Sequence, residues 1–272
     1  PRTGLHTLYL SPIKALAVDI ARNLETPISE MGLPISVETR TGDTPQSKRN
    51  RQRSAPPNML MTTPESLELM LSWPDAEKLF GSLKLIIIDE IHTLSGTKRG
   101  DLLSLSLSAL RHLAKKSQSI GLSATVRAPE RFRPWLSAQP DEVCILQPEL
   151  TKAIDLSILE TETERLPWSG HSGLYAAKEI YKLIIKHRPC LIFVNTRAQA
   201  ELLFQALWVQ NDFTLKIGLH HGSLEVGLRR KTEAAMARGE LDAVVATSSL
   251  DLGIDWAKIK LVIQVGAPKG TS

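Results

Sequence analysis

Nine short apolar runs punctuate the chain: His6–Leu10, Ile35–Glu38, Asn58–Met61, Lys84–Ile88, Ser119–Leu122, Cys190–Val194, Lys216–Leu219, Ala243–Ala246 and Leu261–Val265. Most are continuously apolar rather than alternating, the pattern of strands covered on both faces. Between them lie stretches with apolar residues at helical spacing: Ile13–Met31, Asp101–Lys116, Tyr175–His187, Ala198–Gln210 and Glu225–Arg238. This alternation predicts an α/β fold with parallel sheets.

A seam interrupts the alternation. Beyond Arg131–Leu136 come Pro140, Pro148, Pro167 and Gly170, interspersed with Glu160, Glu162, Glu164 and Arg165. The expected organisation is a first domain over 1–147, a connector over 148–172 and a second domain over 173–272. The length of 272 residues suits two domains, each with its own core.

The residues that follow each run are polar, small or charged. They include Ser11-Pro12, Thr41-Gly42-Asp43, Thr62-Thr63-Pro64-Glu65, Asp89-Glu90, Ser123-Ala124-Thr125, Asn195-Thr196-Arg197, His220-His221-Gly222-Ser223 and Thr247-Ser248-Ser249. Ligands of open α/β sheets bind beyond the carboxyl ends of the strands, so such a set reads as the lining of a site. An ordinary turn accounts for any one of them taken alone.

Composition narrows the class. With 42% hydrophobic and 23% charged residues the chain is globular, which excludes collagen, coiled coil or long disorder as its main body. The formal charge of +4 permits an anionic partner without requiring one. Cys144 and Cys190 have no C-x-x-C neighbour, which argues against a zinc ribbon or a disulfide framework and suits a reducing, cytoplasmic compartment. No apolar run reaches the roughly 18–20 residues that cross a bilayer, so no membrane partner is expected. Pro1-Arg2-Thr3-Gly4 has neither an initiator Met nor a leader pattern, and the sequence is expected to be a segment of something longer.

Leu85-Ile86-Ile87-Ile88-Asp89-Glu90-Ile91-His92 carries the sharpest chemistry. An apolar strand delivers two adjacent carboxylates, with a His two residues on. In a nucleotide triphosphatase the first carboxylate holds Mg²⁺ and the second orients the attacking water, both where the sheet meets the phosphates. A solvated Asp-Glu turn fits the same tetrapeptide, and a dedicated metal site completed by His220-His221 is a further alternative. Ala246 to Asp255 offers three hydroxyls at a strand end, suited to phosphate oxygens, with Gly253 allowing close backbone approach. The basic run Lys48-Arg49-Asn50-Arg51-Gln52-Arg53 either tracks phosphates or is a solvated face. The five Trp residues form no stripe and read mostly as packing residues.

In order and spacing these segments resemble the motifs of superfamily 2 DExH-box helicases. Ser11 to Ala17 resembles motif Ia, Thr63 to Ser66 motif Ib, Asp89 to His92 motif II and Ser123 to Thr125 motif III. Phe193 to Arg197 resembles motif IV and Thr247 to Asp255 motif V. Arg40 to Thr44, Lys98-Arg99-Gly100, Pro167 to His171, His220 to Leu224, Ser248 to Gly253 and Gln264 to Gly270 are similar to the large helicase-related (Lhr) family, nearest its bacterial ligase-associated branch. The resemblance implies two RecA-like domains that use ATP and Mg²⁺ to move along single-stranded DNA or a DNA/RNA hybrid, in DNA repair. It further suggests an ATP-dependent DNA ligase and nuclease-like repair proteins as partners.

Carried over by position, the resemblance makes Asp89 the Mg²⁺ holder and Glu90 the residue that positions water. His92, Ser123 and Thr125 couple nucleotide state to domain closure, and Gly253 and Asp255 face ATP. Pro12, Lys14, Thr41, Gly42, Asp43, Thr63, Pro64, Glu65, Thr196, Arg197, His221, Gly222, Ser223, Thr247 and Ser248 meet the nucleic-acid backbone. Such contacts read little sequence. No Gly-x-x-x-x-Gly-Lys-[Ser/Thr] occurs in the 272 residues. The family places that loop before Pro1 and its arginine finger beyond Lys269-Gly270, so these residues alone are expected not to hydrolyse ATP. The competing readings are a non-hydrolysing nucleic-acid-binding module and the motor subunit of a restriction or remodelling complex.

Overall fold

The computed structural model describes residues 4–124, 126, 128–147, 155–159, 173–247 and 259–267. The chain divides into two compact units, within Pro1–Glu149 and within Leu150–Thr271.

The first unit runs β1 (Thr7–Leu10), α1 (Lys14–Glu30), β2 (Val37–Arg40), α2 (Gln46–Ser54), β3 (Met59–Thr62), α3 (Pro64–Leu71) and α4 (Ala76–Phe80). It continues with β4 (Leu85–Ile88), α5 (Ile91–Leu94), α6 (Lys98–Leu113), β5 (Gln118–Gly121) and α7 (Arg133–Leu136). Its five strands are parallel in the order β2-β3-β1-β4-β5. Successive residues explain the continuous apolar runs. Leu8 and Leu10 enter one core with Leu60, Ile86, Ile88, Phe80 and Leu103, whereas Tyr9 enters a second core with Met61 and with Ala17 and Ala21 of α1. Each buried Leu or Ile contributes about 1.5–3 kcal/mol, so helices on both faces are needed to seal the sheet.

The second unit runs α8 (Ala177–Lys186), β6 (Cys190–Val194), α9 (Arg197–Val209), β7 (Ile217–His220), α10 (Val226–Ala237), β8 (Ala243–Ala246) and β9 (Leu261–Val265). Its four strands are parallel in the order β7-β8-β6-β9. Ile192, Val194 and Val245 face α8 and α9, while Leu191, Val244 and Ala246 face Met236 of α10.

All nine expected strands are present. The second starts and ends two residues later than its apolar run, because the charged Arg40 is buried at 9% exposure and still belongs to the strand. The helix expected from Asp101 starts at Lys98, where Thr97 Oγ1 accepts from Gly100 N at 3.1 Å. Among the described residues no helix is long and apolar enough to cross a membrane.

Candidate nucleotide and nucleic-acid site

In the first sheet the register aligns Arg40, Thr62, Leu10, Ile88 and Gly121 in one row. The residues that follow each strand therefore leave the sheet along one edge: Thr41-Gly42-Asp43, Thr63-Pro64-Glu65, Ser11-Pro12, Asp89-Glu90 and Leu122-Ser123. β1 lies where the strand order reverses, with β3 on one side and β4 on the other, and such a switch point is where open α/β sheets bind ligands.

Glu90 adopts a left-handed conformation, φ 46°, unusual for a residue with a side chain. Asp89 Oδ1 accepts from Glu90 N at 2.9 Å, and Glu90 O accepts from Thr93 Oγ1 at 2.8 Å, which holds the turn in that state. His92 Nδ1 stands 3.0 Å from Ser123 Oγ and 3.4 Å from Glu90 Oε2. One imidazole thus spans the ends of β4 and β5. The Tyr9 hydroxyl lies beside Asp89, and burial, then Asp89 and Glu90, push its pKa well up, so it remains a neutral donor to the carboxylate. Nothing in the apolar run around Tyr9 signals this contact.

The neighbouring turns are cross-linked. Lys14 Nζ pairs with Asp43 Oδ1 at 2.8 Å, and a Cβ on Gly42 would sit 3.0 Å from that ammonium. Arg49 Nη2 donates to the carbonyls of Thr41 (3.1 Å) and Gly42 (2.6 Å). Arg99 Nη2 donates to Pro12 O at 2.7 Å, and its Nε to Glu65 Oε1 at 2.5 Å. Burial opposes ionisation of Glu65, yet hydrogen bonds from Arg99, its own backbone and Thr63 hold its carboxyl below the usual range. The basic run is largely committed to structure. Arg51 pairs with Glu38, Arg53 with Asp75, and Arg40 and Arg53 both lie over the Trp73 ring, at 4.7 and 4.9 Å. Burial, then Arg49 and Arg53, lower the Arg40 pKa.

In the second sheet His220, Ala246, Phe193 and Gln264 form the corresponding row. Thr196, Arg197, Gly222 and Ser223 are exposed beyond it, and Arg197 Nη1 donates to Ser223 Oγ at 2.8 Å. Thr196 and Gln199 form a reciprocal cap on α9. Thr247 N bonds to His220 O at 3.1 Å. His221 differs from its neighbours: its ring is buried and lies 3.2 Å from Glu201 Oε1. His220 is also buried, 2.8 Å from Glu233 Oε1.

The two His thus face separate glutamates, and among the described residues no group of three or more His, Cys, Asp or Glu is placed to hold a metal. Two adjacent carboxylates suit a hard cation that takes the rest of its ligands from phosphates and water, as Mg²⁺ does. Thr125, Ser248, Gly253, Asp255 and the Pro167–His171 segment lie outside the described residues.

Residues 1–132 match the DEAD/DEAH box helicase model, and residues 176–272 match the helicase conserved C-terminal domain. The chain thus carries a DEAD/DEAH box helicase segment followed by a helicase C-terminal segment. It is 38% identical over 312 residues to an Lhr helicase/probable uracil glycosylase of Mycolicibacterium smegmatis, covering 98% of this chain and 21% of that protein. It is 37% identical over 288 residues to the ATP-dependent helicase Lhr-Core of Methanothermobacter thermautotrophicus, covering 99% and 33%. Among solved structures, the Mycobacterium smegmatis helicase Lhr bound to ssDNA and AMP-PNP superposes with a TM-score of 0.77 at 39% identity. That match covers 98% of this chain and 36% of that one. The chain therefore spans about a fifth to a third of the length of the curated relatives it matches. Its two parallel sheets are those of a tandem RecA-like core.

Proposed function

We propose that this chain is the core of an Lhr-type ATP-dependent helicase or translocase, which couples ATP hydrolysis to movement along single-stranded nucleic acid. The observation that carries this reading is the Glu90–His92–Ser123 chain at the carboxyl edge of the first sheet. It joins a water-positioning carboxylate to a hydroxyl one strand away, a connection that a passive binding module does not need. The relative's complex with ssDNA and AMP-PNP supports the same pair of ligands.

On this reading residues 1–147 and 173–272 are the two motor domains and 148–172 connects them. Asp89, oriented by Tyr9 and Glu90 N, would hold Mg²⁺, which when bound neutralises charge on the phosphates. Glu90 holds and deprotonates the attacking water, and His92 reports the state of Glu90 to Ser123. Gly253 and Asp255 face the nucleotide from the second domain. Lys14, Gly42, Asp43, Glu65, Thr196, Arg197, Gly222 and Ser223, which are exposed, follow the backbone of DNA or of a DNA/RNA hybrid, as do Thr247 and Ser248 on the resemblance, whereas Pro12, Thr41, Thr63 and Pro64 are buried and support their turns from inside. His221 supports its turn from inside. The ligase-associated resemblance extends the proposal to DNA repair beside an ATP-dependent ligase and nuclease-like proteins in the cytoplasm. Co-purification from the native host tests that extension.

The deciding experiment is Glu90→Gln in the intact gene product. DNA-stimulated ATPase should fall about 10²–10⁴-fold while AMP-PNP affinity stays within about twofold. Undiminished hydrolysis would remove Glu90 from its role and the reading with it.

A further inference from the structure

Arg99 lies in the first turn of α6 and reaches two turns that leave different strands. Its Nη2 bonds to the Pro12 carbonyl beyond β1, and its Nε bonds to the Glu65 carboxylate in the first turn of α3, beyond β3. The base of this fork is fixed. Thr97 caps the helix through Gly100 N, and a Cβ on Gly100 would stand 2.0 Å from Leu94 O, so the first turn of α6 presses directly on α5. α6 also packs along α3. Glu65 alone would be an unfavourable neighbour for a phosphate backbone, and its pairing with Arg99 cancels that charge at the edge where phosphates are expected.

We propose that Arg99 is a positioning residue for the nucleic-acid edge of the first unit, holding the Ser11–Ile13 turn and the Thr63–Ser66 turn at a fixed separation through the Pro12 carbonyl and the Glu65 carboxylate. This rests on the helicase reading above. A planar guanidinium serves two acceptors in fixed directions, whereas a lysine ammonium is a single point charge on a flexible stem. Arg99→Lys therefore keeps the charge and loses the tie.

The test uses this chain, a labelled oligothymidylate read by fluorescence anisotropy across a salt series, and amide hydrogen exchange at Ser11, Ile13, Glu65 and Ser66. Arg99→Lys and Arg99→Ala should both weaken binding about tenfold. The slope of log affinity against log salt should stay that of the parent, and exchange should rise at both turns. Thermal melting should change little, because exposed ion pairs add little stability. Glu65→Gln, which preserves shape, should raise exchange at the same amides. Parent-like binding by Arg99→Lys, or a salt slope reduced by about one with unchanged exchange, makes Arg99 a direct phosphate contact and overturns the proposal. Failure of the parent chain to bind the oligonucleotide at all counts against the helicase reading, and the exchange measurement still decides whether Arg99 ties the turns.

Discussion

His92 Nδ1 lies 3.0 Å from Ser123 Oγ, which joins the turn after β4 to the turn after β5. The same nitrogen is 3.4 Å from Glu90 Oε2. Ser123 therefore senses the carboxylate through the imidazole without touching it. Ser123→Ala in the intact gene product should leave ATPase within about threefold and lower strand displacement about tenfold, since coupling free energies run to 1–3 kcal/mol. Parallel ATPase and unwinding assays check this. An equal loss in both would place Ser123 in hydrolysis itself.

Much of this arrangement is legible before folding, and the remainder is not for physical reasons. Strands sealed on both faces write themselves as apolar runs, so β1 and β4 stand out, as do the polar residues that end them. α2 is different. Gln46–Ser54 has no apolar stripe and buries only Gln52, so its sequence looks like a charged loop. Its arginines prove to be internal supports, with Arg49 reaching back to the Thr41 and Gly42 carbonyls. Arg99 and Glu65 are 34 residues apart, and only the order β2-β3-β1-β4-β5 brings their turns together. His221 has the polar character of its neighbours and is nevertheless buried, because the ring turns inward toward Glu201 of α9.

Gly100 and Gly222 both sit in family-like motifs, but for different reasons. A Cβ at Gly100 meets the Leu94 carbonyl oxygen at 2.0 Å and the Trp135 ring at 2.9 Å, and backbone cannot step aside cheaply. Gly100→Ala should cost about 2–4 kcal/mol. At Gly222 nothing lies within 4 Å, so Gly222→Ala should leave stability within about 0.5 kcal/mol. Urea unfolding of both variants separates the cases. Similar midpoints would mean that the α5–α6 junction is not under the steric control described.

The two thiols should react in sharply different ways. Cys190 is fully buried in β6, and burial, then the charge of Asp242, push its pKa up to about 11. It is the neutral thiol at pH 8, and alkylation needs the thiolate. Cys144 is exposed. Iodoacetamide at pH 8 should add one equivalent to the native chain and two after denaturation, with peptide mapping placing the first at Cys144. Rapid native labelling of Cys190 would show that the second sheet opens on the timescale of the reaction.

Lys14 and Asp43 form an ion pair across the turns after β1 and β2, and both side chains are largely open to water, at 52% and 77% exposure. Such a pair contributes little to stability, so its consequence lies in which anion Lys14 serves. A phosphate approaching that edge must compete with the Asp43 carboxylate for the ammonium. Asp43→Asn keeps the size of the side chain and the Asp43 N to Thr41 Oγ1 hydrogen bond at 3.3 Å, so the turn should survive. The variant should melt like the parent and bind an oligothymidylate about three- to tenfold more tightly at low salt. Its salt dependence should be steeper by about one counterion, the signature of one additional cation committed to phosphate. Lys14→Ala should erase both changes when added to Asp43→Asn. Weaker binding by Asp43→Asn alone would instead mean that the carboxylate holds the turn in its binding shape, and that Lys14 contributes through Asp43 rather than through the nucleic acid.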